Sequence, residues 1–110
     1  MGTLAAGKVV VIPFPFSDLS QQKLRPVLLL ADAGRGDWIA CQITSNPYAD
    51  THAIALTDRE FSEGGLQRTS YLRPGKLFTC NESLLVNSAG TLSKETLQQI
   101  RAAVIQIIQG

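Results

Sequence analysis

The chain has 110 residues and a mass of 11.9 kDa, enough for one domain over residues 1–110 and too short for two, since half this length scarcely encloses a core. With 45% hydrophobic residues, 17% charged residues and a formal net charge of +1, it has the apolar material to fold and too little self-repulsion to stay disordered. Its longest apolar stretches, Val9–Phe16 and Pro26–Ala31, fall short of the roughly 18–20 residues of a bilayer-spanning helix, and no basic segment precedes an apolar one at the N-terminus, so the sequence predicts neither a membrane helix nor an export signal and points to the cytoplasm.

Lys8–Ile12 is short and β-branched and reads as a first strand, which the two prolines of Pro13-Phe14-Pro15-Phe16 end or confine to a sheet edge. The polar stretch Ser17–Arg25 is long for a hairpin connection and reads as a working loop. Pro26–Ala31 is continuously apolar, the pattern of a strand covered on both faces, and Gly34-Arg35-Gly36-Asp37 turns the chain into a second central strand, Trp38–Thr44.

Further short runs at Ala53–Leu56, Thr69–Arg73, Leu77–Cys80 and Leu85–Val86 are separated by Gly64-Gly65, Pro74-Gly75 and Asn81-Glu82, the rhythm of a small barrel or sandwich. The period then changes. Leu97, Ile100, Val104, Ile107 and Ile108 recur at helical spacing, with Ser93 placed to cap the helix, Leu92 and Leu97 placed as a hydrophobic staple, and Glu95 in the first turn.

Cys41 and Cys80 belong to no Cys-x-x-Cys pair, so zinc-ligand spacing is absent and both read as small core residues. His52, the one imidazole, stands just before a strand with no evident catalytic partner.

Charge is balanced in total but unevenly placed. Lys23 and Arg25 stand between Leu19 and Ala31 with no acid, and Arg68, Arg73 and Lys76 stand between Gly64 and Asn81, again with no acid. Gathered by the fold, these side chains make a concentrated positive surface for phosphates; left apart, they are ordinary solvated charge. Pro26 restricts Arg25 to extended conformations, which presents a fixed guanidinium at the entry to a buried strand, for a phosphate or for a backbone carbonyl. Thr44-Ser45-Asn46 offers two hydroxyls and an amide at the end of the other central strand, groups that bind a phosphate or simply stop a strand.

The ordered set Val10–Ser20, Lys23–Leu30, Gln42–Ser45, Glu63–Leu66, Ser70–Pro74 and Lys76–Thr79 resembles the MazF/PemK/Kid toxins of type II toxin–antitoxin systems, in particular the PemK-like branch, over about residues 7–108. The resemblance implies a mainly β fold with a C-terminal α-helix, a small SH3-like β-barrel of the CcdB/PemK type. It also implies a homodimer and a metal-independent, cofactor-free endoribonuclease that cuts single-stranded RNA and is restrained by an antitoxin protein. Carried over residue by residue, Arg25 supports the scissile phosphate, Thr44 is the catalytic hydroxyl with Ser45 beside it, and Arg73 matches the later arginine of the Kid-like pattern. Lys23, Ser45, Arg68, Arg73 and Lys76 make up the expected RNA-binding set.

This chain departs from the family at the acids. Ser20 stands where MazF-like sequences carry a glutamate, and Gly75 where Kid-like sequences carry an aspartate; neither moves a proton near neutral pH. Asp18, in the same loop as Ser20, is the remaining candidate for the base, or else a turn carboxylate. Two functions follow as alternatives: an endoribonuclease, or a catalytically impaired module of the same fold that binds an antitoxin peptide or nucleic acid.

Overall fold

Alternation along the central strands sends successive apolar side chains to two separate clusters. The computed structural model describes residues 4–15 and 22–110. Among them are the strands β1 (Lys8–Pro15), β2 (Gln22–Gly34), β3 (Asp37–Thr44), β4 (Ile54–Leu56), β5 (Phe61–Gly64), β6 (Ser70–Asn81) and β7 (Asn87–Leu92), followed by the helix α1 (Lys94–Gln109). Val9, Leu28, Leu30, Cys41 and Ile43 join one cluster, while Val10, Val27, Leu29 and Ala40 join the other, so β2 is buried on both faces as its apolar run predicts.

All pairings are antiparallel, and the strand order is β4-β6-β3-β2-β1-β7-β5. This sheet curls into a nearly closed barrel with one C-terminal helix, the expected fold class. Arg35 and Gly36 both have positive φ, at 57° and 80°, which gives the two-residue β2–β3 turn the twist of a primed hairpin. No helix among the described residues is long and apolar enough to cross a membrane.

Several boundaries differ from those read in the sequence. β1 continues through Pro13 and Pro15, because beyond Val11 it no longer pairs with β7 and has only β2 beside it, the edge setting in which prolines persist. Its pairing with β2 runs from Val9↔Leu28 to Pro15↔Gln22, so Gln22–Arg25 is strand rather than loop, and Arg25 lies inside β2 opposite Ile12. β6 is one strand where the sequence suggests two. Its register against β3 jumps from Cys41↔Leu77 to Gln42↔Arg73, so Pro74, Gly75 and Lys76 form a bulge and the strand bends without ending.

β5 and β7 carry no alternating apolar pattern. They pair because Gly64 and Gly90 let their backbones approach: a Cβ on Gly90 would meet the Glu63 carbonyl oxygen, and one on Gly64 the Ala89 carbonyl oxygen.

The helix starts as expected. Ser93 Oγ accepts the Thr96 N–H at 3.2 Å, and Leu92 and Leu97 meet in the cluster that also receives Ile100 and Val104. Arg101 Nη2 donates to the Leu30 carbonyl at 3.1 Å, tying α1 to β2. Burial stops at Val104. Ile107 and Ile108, expected on the buried stripe, are instead 36% and 72% exposed.

Candidate functional site

The β2–β3 pairing, with Val27 opposite Gln42 and Leu28 opposite Cys41, sets a register that places Arg25 across from Thr44 when continued toward the chain ends of the hairpin. Arg25, Pro26, Ile43, Thr44 and Ser45 form one wall of an open cavity of about 390 Å³. The opposite wall comes from the segment after Gly64, with Leu66, Gln67, Arg68 and Ser70. Arg25 is half-buried, Thr44 is buried, and Ser45 and Arg68 are exposed at the rim. The Thr44 hydroxyl oxygen accepts the Asn46 N–H at 3.2 Å, which leaves its own proton to donate. Ser70 Oγ donates to the Arg68 carbonyl at 3.1 Å and so holds the far wall at its strand entry.

The described residues that line the cavity supply two guanidiniums, three hydroxyls and one carboxamide, with no carboxylate and no imidazole. That donor-rich set suits an anion with several oxygens, and a phosphate above all.

The structure brings Arg25, Thr44, Ser45 and Arg68 together and leaves other members of the expected set elsewhere. Lys23 is exposed on β2, and Lys76 is exposed in the β6 bulge beside Gly75; neither lines the cavity. Arg73 lies on β6 outside the cavity, where its Nε donates to Asp50 Oδ2 at 2.9 Å, and both side chains are largely shielded, at 18% and 13% exposure. Asp18 and Ser20 lie outside the described residues.

Asp50 is held below the usual carboxylate range, first by the Arg73 hydrogen bond and then by the His52 N–H on its other oxygen. His52 Nδ1 lies 3.7 Å from the same carboxylate. Both cysteines are buried. Burial pushes the Cys41 thiol up to about 12, and its Sγ donates to the Arg73 carbonyl at 3.1 Å; burial and the nearby Asp37 charge raise Cys80 as well. Thiols so placed are poor nucleophiles.

Sequence reasoning missed three participants. Gln67 and Ser70 enter the cavity through the loop that Gly64-Gly65 announces, a visible turn signal that says nothing of which residues then face inward. Asp50 meets Arg73 from a different segment, and no local pattern in the chain marks that encounter.

Residues 5–108 match the family of PemK-like, MazF-like toxins of type II toxin–antitoxin systems, and the chain belongs to that family. Among solved structures it is similar to MazF from Deinococcus radiodurans (Form-I), with 18% identity, a TM-score of 0.73 and 100% of both chains covered. A MazE–MazF structure from the same organism (Form-II) is 17% identical, with a TM-score of 0.75 and 94% of each chain covered. An endoribonuclease from a Mycobacterial species, in complex with its cognate antitoxin, is 16% identical with a TM-score of 0.72, covering 97% of this chain and 96% of that one. At such identities the likeness establishes the fold. The comparison with curated proteins finds no match.

Proposed function

We propose that the protein is a toxin of the endoribonuclease kind, cleaving single-stranded RNA without a metal ion, and that the cavity between Arg25 and Arg68 receives the scissile phosphate. The observation that carries this reading is the convergence of two guanidiniums and the Thr44 hydroxyl on one cavity whose described lining holds no negative charge.

In the reaction, the 2′-hydroxyl of one nucleotide loses its proton and attacks the adjacent phosphorus. The P–O5′ bond breaks, the departing oxygen takes a proton from a solvent water, and the products are a 2′,3′-cyclic phosphate and a 5′-hydroxyl. Arg25 carries the charge that grows on the non-bridging oxygens, and Thr44 donates its free proton to one of them. Asp18 receives the 2′-hydroxyl proton in this scheme. Ser45, Arg68, Lys23 and Lys76 hold flanking phosphates and sugars. The relatives solved with antitoxins support an antitoxin partner here. Exposed Ile105, Ile107 and Ile108 on α1 and Leu77 on β6 support a homodimer.

The test follows a labelled single-stranded RNA pool in the presence of a chelator. Cyclic-phosphate ends that appear with the native protein and vanish with Arg25→Ala support the nuclease. RNA left intact with enzyme in excess rejects it.

One specific observation favours a second reading, a binding module without turnover: the described cavity residues offer no carboxylate or imidazole to move protons, and Ser20 and Gly75 occupy the acid positions of relatives. Tight RNA binding with no cyclic-phosphate product identifies that case.

A further inference from the structure

Arg73 lies on β6, the strand whose first residue, Ser70, lines the cavity, yet Arg73 itself is not among the lining residues and its surroundings differ from what a phosphate-binding arginine needs. Its Nε–H points to Asp50 Oδ2 at 2.9 Å, its guanidinium carbon lies 5.6 Å from the centre of the Tyr48 ring, and its backbone carbonyl accepts from Cys41 Sγ. Tyr48 and Asp50 belong to the β3–β4 connection, which begins at Ser45 on the cavity rim.

That connection is a relay of short local hydrogen bonds. The Asn46 N–H donates to Thr44 Oγ1 at 3.2 Å, the Tyr48 N–H to Asn46 Oδ1 at 2.9 Å, the Asp50 N–H to the Pro47 carbonyl at 2.9 Å, and the His52 N–H to Asp50 Oδ1 at 2.9 Å. Tyr48 and Ala49 are successive non-glycine residues at φ 53° and 61°, a left-handed conformation that side chains with a Cβ adopt at a cost. Something must hold them there, and the contacts of Arg73 fall on Tyr48 itself and on Asp50, the residue after Ala49.

We infer that Arg73 is a positioning residue, which with Asp50 and Tyr48 clamps the β3–β4 loop and thereby fixes the Thr44 hydroxyl and Ser45 in the cavity, instead of contacting RNA itself. This assignment rests on the cavity being the RNA site, and replaces the direct RNA contact expected for Arg73 from the family pattern. It is physically economical: a guanidinium already spanned by a shielded carboxylate and an aromatic face has lost much of its attraction for a second anion.

The experiment measures cleavage rate and the binding of an uncleavable RNA carrying a 2′-deoxy nucleotide at the cut site, for native protein, Asp50→Asn, Arg73→Gln and the double variant. The clamp predicts that kcat falls about 10–100-fold in either single variant, as expected for a reacting group displaced by about 1 Å, with RNA affinity changed less than about twofold. The double variant is no worse than the worse single one, because the two residues act as a unit. Hydrogen exchange at the Asn46 and Tyr48 amides speeds up in all three variants, while α1 amides keep native protection and show the protein folded.

If Arg73→Gln weakens RNA binding and Asp50→Asn strengthens it, the arginine contacts RNA and the inference is overturned. It also falls if the loop amides keep their native exchange. Should the native protein leave RNA intact, the nuclease reading fails, while exchange and binding still decide whether the clamp exists.

Discussion

The chain contains two Arg-Pro pairs, Arg25-Pro26 on β2 and Arg73-Pro74 on β6, and these strands flank β3 on either side. Proline constrains the backbone of both arginines alike. Their fates diverge in space. Arg25 faces a cavity with Thr44, Ser45 and Arg68, whereas Arg73 is engaged by Asp50 beneath Tyr48. The dipeptide therefore sets the posture of an arginine, and the next loop to arrive decides its use. Both act on the same element from opposite sides: Arg25 lies across from Thr44 in the continued β2–β3 register, and Arg73 lies opposite Gln42, close to the start of the loop that its own side chain restrains.

The largest expected difference is in rate. Arg25→Ala removes a donor aimed at the charge formed in cleavage and lowers kcat by about 10²–10³-fold. Arg73→Gln costs less, about 10–100-fold, because the reacting groups remain and only their placement suffers. Initial rates at saturating RNA check the order, and equal losses would dissolve the distinction between the two arginines. Next in size is stability. Asp50→Ala leaves a shielded guanidinium without its carboxylate and frees a loop holding two left-handed residues, a loss of about 1–3 kcal/mol readable from urea midpoints. A midpoint that does not move would show that the pair holds nothing in place.

These differences also mark how far the sequence could be read. The buried run Val27–Leu30, the turn at Gly34–Asp37 and the Ser93-capped helix were legible because each announces itself within a few residues. The pairing of β5 with β7 was not, since it depends on two glycines, Gly64 and Gly90, meeting across the sheet. In the site, Arg25 and Thr44 were named through the family resemblance, and what local sequence did not show is the β2–β3 register that, continued, makes them neighbours. The stretch around Arg68, Arg73 and Lys76 is acid-free only along the chain: counting charges in a segment says nothing of a carboxylate delivered from another, and Asp50 reaches Arg73 from the β3–β4 loop. Asp18, proposed as the base, lies outside the described residues.

Salt dependence separates the cavity arginines from Arg73 at a smaller scale. Each phosphate contact in single-stranded nucleic acid contributes about −0.7 to the slope of log affinity against log salt. Arg68→Ala, at the cavity rim, flattens that slope by about one contact, whereas Arg73→Gln leaves it at the native value. Titrations of the 2′-deoxy RNA at several salt concentrations measure both, and a flattened slope for Arg73→Gln would restore that residue to the RNA-binding set.

The smallest effect is the response of the clamp to acid. Arg73 first, and the His52 N–H second, hold the Asp50 carboxyl below the usual carboxylate range of about 4. A carboxyl with a folded value below its unfolded one takes up protons more readily when unfolded, so it adds stability above the unfolded value and loses it as pH falls through the folded one. Glu60, lowered by the Thr57 N–H and hydroxyl, titrates the same way, but it is common to native protein and variants and cancels in their difference. The stability gap between native protein and Asp50→Asn is therefore full at neutral pH, begins to close as the pH drops below about 4, and is smallest once Asp50 is protonated in the folded state. Urea midpoints taken from pH 7 down to pH 3 trace it. A gap that stays constant through this range would mean that the charge of Asp50 contributes nothing to the loop, and that the shape of the side chain alone holds it against Arg73.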